Sequence, residues 1–301
     1  MTKNIDIQKQ FILVLKISAI AVLIGRAWQF LFWDAPYRAL LWDESLMIPI
    51  IEGWFNMKWE DWASSEIVNQ NIQLSIRFTG VLYVIGIIMI LLVNKKRKWP
   101  DIILWINVFF LFLLAVLQTK EVFYHVGQFF ENSSQVGVII ILISFLRRWL
   151  SEKKLLLFIK ILIGLTFFSH GLYAINYYPR PGVFVDLMLN TLGTSESFAH
   201  SLIFIVGVID IVIAMMLFIP SFSKISLWYA FFWGLITAFV RVIANTYLDF
   251  FWSSMHQSWY LTSYRLVHGL LPLSLLIFQK INDSTLTGKL KMDFRKELSK
   301  N

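Results

Sequence analysis

An all-α polytopic membrane bundle of about eight transmembrane helices is the fold the sequence predicts, and three observations predict it. Apolar residues fill 57% of the 301 positions and the mean hydropathy is +0.65, beyond what a water-soluble core uses. They gather in runs of about 20, the length at which a helix crosses a hydrocarbon layer. The runs are near-continuous rather than alternating, so each satisfies its own backbone hydrogen bonds as a helix and not as a barrel strand. The chain has no cysteine, which removes disulfides, thiolate zinc sites and thiol redox chemistry. Redox work here requires a cofactor.

The first span is expected near 11–33. It carries Lys16 and Arg26 and lacks a small-residue cleavage site, so it reads as a retained span rather than a signal. A long loop, 34–75, holds seven acidic residues against Arg38 and Lys58, and its segment "EGWFNMKWEDW" reads as one interfacial helix. Spans two and three fall near 76–93 and 102–118, separated by "NKKRK". Span four, near 121–146, opens with Glu121, His125, Gln128, Asn132 and Gln135, a 4, 3, 4, 3 spacing that paints one helix face. Spans five to eight are expected near 155–177, 201–220, 225–245 and 257–279, before a Lys-rich tail. The basic clusters at 94–98, at 147–154 and in the tail follow spans two, four and eight. All three share the side of the N-terminus, so the positive-inside rule puts both termini in the cytoplasm. The net charge of +8 is then topological, and no nucleic-acid partner is implied.

Internal repetition organises the chain. "LKISAIAVLIGRAWQFLFWDAP" over "FIKILIGLTFFSHGLYAINYYP" aligns Lys16 with Lys160, Arg26 with His170 and Gln29 with Tyr173, while Trp105 and Gln118 fall on Trp228 and Arg241. Each unit has four spans, an even number, so the two run parallel about an axis along the membrane normal. The domain expectation is a first four-helix repeat over 1–150 with its outer amphipathic loop, a second over 151–280, and a basic cytoplasmic tail over 281–301.

Polar residues collect at one depth, about seven residues before the outer ends of their spans. The candidate ligand-binding set is Arg26, Gln29, Glu121, His125, His170, Tyr173, Asp210, Arg241, Tyr264, Arg265 and His268. A charge facing hydrocarbon costs at least about 2.5–3.5 kcal/mol, so these groups are expected to converge around a polar, outward-opening cavity. The same residues also read as glue, with Arg26 and Arg265 snorkelling or pairing with Asp210 or Glu121. Lys16 and Lys160 read as inner-face snorkels, and Trp28, Trp33, Tyr177, Tyr178 and Trp252 as interface anchors.

The unit formed by "FFSHGLYAINYYPRP", "GVIDIVIAMMLFIP" and "WYAFFWGLITAFVR" resembles the DoxX-like superfamily of bacterial membrane proteins, most clearly over 155–279. The first half, with "GRAWQFLFWDAPYRALLWDE", is similar to the horizontally transferred transmembrane domain related to vitamin K-dependent carboxylases. The resemblance implies a bacterial inner-membrane bundle, in some members linked to quinone-coupled oxidation. The carboxylase branch needs a reactive lysine in the cavity, and both lysine candidates lie on the inner side. Three functional classes follow. One is a redox-linked protein holding a quinone, with His170 or His268 moving a proton and Arg26 or Arg265 steadying an oxyanion, in exchange with a membrane or periplasmic redox partner. The second is a transporter or lipid-binding protein for an anionic solute, and the third is a structural subunit. Catalytic residues stay unassigned, no metal-ligand spacing, phosphate loop or nucleophile elbow is present, and a haem would need two facing histidines without any haem-binding motif.

The topology is testable because the chain contains no native thiol. Cysteines placed at Lys96 and Lys153 should resist impermeant thiol reagents in intact cells while one at Lys58 reacts, and outside labelling at Lys96 rejects the eight-span reading.

Overall fold

The computed structural model describes residues 2–280, so the basic tail expected over 281–301 lies outside the described residues. Among the described residues there is helix and no strand. The order is α1 (Thr2–Phe32), the short α2 (Arg38–Leu41), α3 (Glu44–Ile51) and α4 (Trp59–Ser64), then α5 (Glu66–Leu92) and α6 (Pro100–Glu121). There follow α7 (Val126–Glu131), α8 (Ser133–Arg147), α9 (Glu152–Ala174), α10 (Gly182–Leu192), α11 (Glu196–Met216), α12 (Pro220–Ala244), α13 (Phe251–Ser263) and α14 (267–280). Seven helical stretches are long and apolar enough to cross a membrane, α13 and α14 counting as one.

The sequence marks where these helices begin. Ser65, Ser151 and Ser195 each accept the backbone N–H three residues on, capping α5, α9 and α11. Each is followed directly by a glutamate that meets the positive end of the helix dipole. Pro100 and Pro220 occupy the first position of α6 and α12, where a missing N–H costs nothing.

The centre of the bundle is built from α1, α8, α9, α13 and α14, the most enclosed elements. Phe11, Leu15, Val22 and Leu23 of α1 meet Val138, Ile139 and Leu142 of α8, Ile159 of α9 and Leu271 and Leu275 of α14 in one fully buried core. Around this centre α5 leans on α1 and α11 leans on α9, the two most extensive helix pairs in the molecule. Both pairs are tied by a lysine. The Lys16 Nζ donates to the carbonyls of Val93 (2.8 Å) and Leu91 (3.2 Å) at the end of α5, and the Lys160 Nζ donates to Leu217 (2.9 Å) at the end of α11. The two lysines therefore take up helix-end carbonyls that have no partner within their own helices.

Three sequence expectations need correction. Span four does not begin at Glu121. That residue ends α6, and Phe123 and Tyr124 follow in left-handed conformations (φ 55° and 60°) that reverse the chain before α7. The five-residue polar stripe is thus split between a helix end, a turn and two further helices. The segment 52–62 is not one interfacial helix either, because the chain turns through Gly53 and a left-handed Asn56 (φ 51°) between α3 and α4. Trp54 and Phe55 in that turn are 84% and 65% exposed. Finally α5 starts ten residues before the expected 76, since its cap sits at Ser65. The connecting loop is tethered to the core where Lys120 of α6 pairs with Asp43, the cap of α3. Hydrogen bonds from Lys120 foremost, then from Ser45 and the Leu46 amide, hold the Asp43 carboxyl down at about 2. A depressed carboxyl stabilises the fold above its ordinary range and loses that contribution as pH falls towards 2.

Gly171 and Gly207 set the spacing of α9 and α11. A Cβ on Gly171 would lie 2.7 Å from the Gly207 carbonyl oxygen, and one on Gly207 would lie 3.0 Å from that of Gly171. Gly171→Val should therefore push the helices apart at a cost of about 1–3 kcal/mol, lowering the unfolding temperature in detergent by several degrees. Gly182→Ala, with nothing within 4 Å of its new methyl, serves as the neutral control.

Candidate functional site

Two helix breaks generate the polar centre. Asn132 separates α7 from α8, and residues 264–266 separate α13 from α14. Within a bilayer a broken helix is tolerated only where protein or a cavity receives the freed backbone groups. The Asn132 side chain does this at the first break, its Nδ2 donating to the Gln128 carbonyl (2.9 Å). At the second, the amides of Tyr264, Arg265 and Leu266 keep backbone partners at Tyr260 and Thr262, while the Thr262 and Ser263 hydroxyls tie the break to the Ala238 carbonyl of α12 and the Ala21 carbonyl of α1, both at 2.8 Å.

Arg26 of α1 reaches the first break and is 2% exposed. Its Nε and Nη2 donate to Gln135 Oε1 (3.0 and 2.7 Å), Nη1 to Gln29 Oε1 (2.7 Å) and Nη2 to Asn132 Oδ1 (3.1 Å). The Tyr264 ring closes the remaining side, 3.8 Å from the guanidinium carbon. Amide oxygens and an aromatic face thus hold a buried cation, and among the described residues no carboxylate lies within ion-pair distance of it. Tyr264 carries a second guanidinium, that of Arg265, at 4.6 Å from its ring and hydrogen bonded to its hydroxyl.

Glu131, the last residue of α7, joins the two halves. Its Oε1 lies 3.2 Å from His170 Nε2 and 3.7 Å from Arg265 Nη2. The other nitrogen of His170, Nδ1, is 2.9 Å from the Thr166 carbonyl oxygen, an acceptor only, so Nδ1 carries a proton. One further proton lies between Nε2 and Glu131, and the couple is neutral overall in either arrangement.

Beside this couple a cavity of about 90 Å³ opens within the second half. Its polar wall is His170, Asp210, Arg241, Arg265 and His268, and its apolar wall includes Phe184, Leu187 and Met188 of α10 with Ile203 and Val206 of α11. Asp210 accepts from the Tyr229 hydroxyl at 2.8 Å. Arg241 is 6% exposed, yet among the described residues its guanidinium makes no hydrogen bond or ion pair, and its Nε is buried without a partner. The Nε2 of His268, a residue 4% exposed, is likewise buried and unpartnered. His268 is pressed into place because Gly234 of α12 lets its backbone approach: a Cβ there would lie 2.6 Å from the His268 carbonyl.

Of the expected residues, Arg26, Gln29, Tyr264 and Arg265 meet around Tyr264, and His170, Asp210, Arg241, Arg265 and His268 share the cavity. Three stand apart. Glu121 is exposed at the end of α6, with no side-chain partner among the described residues. His125 stacks on Tyr178 (4.8 Å), and Tyr173 sits in the same aromatic cluster, 6.4 Å from His125 and 5.2 Å from Tyr178. The carboxylate that pairs with Arg265 is Glu131, not Asp210 or Glu121 as expected, because the reversal at 123–124 carries Glu131 inward while Glu121 stays on the rim. Sequence reading missed Glu131, although it is the one acidic residue between 122 and 151. It also missed that His170 and His268 each open a His-Gly-Leu triplet, whose rings meet at 5.2 Å.

The helices and their buried polar centre define a multi-pass integral membrane protein. Comparison with known protein families, with curated proteins and with solved structures returns no match.

Removing Glu131 should leave Arg265 and His170 facing one another uncompensated. Glu131→Ala is expected to cost about 3–5 kcal/mol, read as lost thermal or denaturant stability in detergent. The double variant Glu131→Ala/Arg265→Ala should recover part of that loss, since it removes both charges; purely additive losses would show that the pair is not coupled.

Proposed function

We propose that this chain is a duplicated four-helix membrane protein of DoxX-like type. It sits in a bacterial inner membrane with both termini inside, and its second half takes a small amphipathic molecule into the cavity between α9, α10, α11, α12 and the start of α14. The duplication is supported by features that recur in order. A lysine of the first helix caps the second (Lys16 on α5, Lys160 on α11), a Ser-Glu pair starts the second, a proline starts the third, and the fourth is broken (α7/α8 and α13/α14). The binding role is carried by one observation: Arg241 is buried at the cavity wall with its guanidinium unpaired among the described residues. An unpaired buried charge costs several kcal/mol and persists where something outside the chain pairs with it. The apolar wall from α10 and α11 suits the hydrocarbon part of such a molecule. A redox-linked role with a quinone rests on the His170–Glu131 couple, which holds one transferable proton beside the cavity.

Purification in a mild detergent, followed by absorbance and mass analysis of an organic extract, tests the reading. A near-stoichiometric amphiphile should leave with the wild-type protein and be depleted from Arg241→Met. An extract of unchanged content in that variant, or one empty in both, overturns a binding role for this cavity.

A further inference from the structure

We infer that the head group taken by this cavity is an oxyanion on a single apolar chain, a step that rests on the cavity being a binding site as proposed above. Charge balance at the polar centre favours such a guest. The connected polar centre holds three guanidiniums, those of Arg26, Arg241 and Arg265, linked through Tyr264 and the cavity wall. Against them stand two carboxylates. Glu131 shares its one proton with His170, so that couple adds no net charge in either form. Asp210, bound to Tyr229, is the one carboxylate left to set against the three guanidinium charges. Arg26 gives four hydrogen bonds to neutral amide oxygens, which engage its N–H groups without cancelling its charge. A surplus of buried positive charge in a low-dielectric surround strongly favours an anionic guest over a neutral one.

Donor geometry agrees with the charge. Arg241 lines the cavity with a guanidinium that, among the described residues, has no hydrogen-bond or ion-pair partner, and a guanidinium fork matches the two oxygens of a carboxylate or of a phosphate monoester. His268 lines the same wall, its Nε2 buried and, among the described residues, unpartnered. Size decides how much of the guest fits. A cavity of about 90 Å³ equals the liquid volume of roughly three water molecules, room for a compact head and not for a diacyl glycerophosphate. The first methylenes would lie along Phe184, Met188 and Val206.

Thermal unfolding of the full chain in a neutral maltoside detergent tests this with five probes: laurate, dodecyl phosphate, dodecanol, decyl-ubiquinone and inorganic phosphate. Laurate or dodecyl phosphate should raise the unfolding temperature in a saturable way, whereas the two uncharged amphiphiles and the tail-less anion should not. In Arg241→Met the apparent affinity for the anionic probe should fall roughly tenfold or more, while the ligand-free variant unfolds at or above the wild-type temperature because an unpaired buried cation is gone. Arg241→Lys, which keeps the charge and loses the fork, should fall between them. An equal shift by dodecanol, an equal shift by inorganic phosphate, or an anion shift that survives in Arg241→Met overturns the inference. Binding of decyl-ubiquinone alone, lost in Arg241→Met, would overturn the anionic head yet leave the binding site standing. No saturable, Arg241-dependent shift with any amphiphile would remove both.

Discussion

Inside a hydrocarbon layer no water completes a hydrogen bond, and that one constraint accounts for the polar architecture of this protein. Small hydroxyls fold back onto their own helices: Ser18 donates to the Val14 carbonyl at 2.7 Å, Ser226 to Phe222 at 3.1 Å and Ser258 to Ser254 at 2.7 Å. The lysines that could have snorkelled close helix ends instead, Lys16 on α5 and Lys160 on α11. Arg147 does the same for the loop before α6, reaching the carbonyls of Asn94 and Arg97 as well as the Asp101 carboxylate. Arg26, Glu131, His170, Arg265 and His268 gather instead at one place, the pair of breaks at Asn132 and 264–266.

Those breaks make a site possible. A continuous helix presents only side chains, whereas a broken one frees carbonyls and changes the direction in which neighbouring side chains point. At Asn132 a single amide serves both needs, since Nδ2 takes up the Gln128 carbonyl while Oδ1 faces Arg26. Glu131, one residue earlier, is thereby turned towards His170 and Arg265 in the other half of the chain. The coupling of the halves at this level runs through Glu131 and Tyr264, each touching cationic groups from more than one helix. Both lie within one residue of a break.

Fold class was legible because it depends on bulk hydropathy and run length, properties that survive errors of several residues at each span boundary. Where eight continuous spans were expected there are seven long apolar stretches, the last broken at 264–266, and the shorter α7 and α8 broken at Asn132. Reading failed where the decision was local and conformational. Two left-handed residues, Phe123 and Tyr124, undo a polar periodicity that looked helical from Glu121 onward, and neither is a residue type that announces such a turn. Glu131 was hidden by that same false periodicity, which drew attention to the positions beside it. His170, Arg241, Arg265 and His268 were found because ionisable groups in apolar runs stand out whatever the local backbone does.

Arg26 and Arg241 show two answers to one cost. Each is an arginine buried in an apolar bundle, at 2% and 6% exposure. Arg26 is met by Gln29, Asn132 and Gln135 and by the Tyr264 face, so each of its three nitrogens has an acceptor. Arg241 has the same desolvation and, among the described residues, no hydrogen bond or ion pair to set against it. Had selection acted on stability alone, replacing an unpaired buried cation by a methionine or leucine would be an easy gain, since such exchanges are often neutral or stabilising. Its position at the wall of a cavity, opposite a carboxylate already engaged by Tyr229, gives the cost a use: the compensation is left for a guest to supply. Under the proposed duplication Arg241 corresponds to Gln118, whose Oε1 is also buried without a partner. The same depth in the two halves then carries unmet hydrogen-bonding capacity of opposite kind, an acceptor in one and donors in the other. Two copies that began alike have in that case diverged by assigning one half to hold the bundle together and the other to bind.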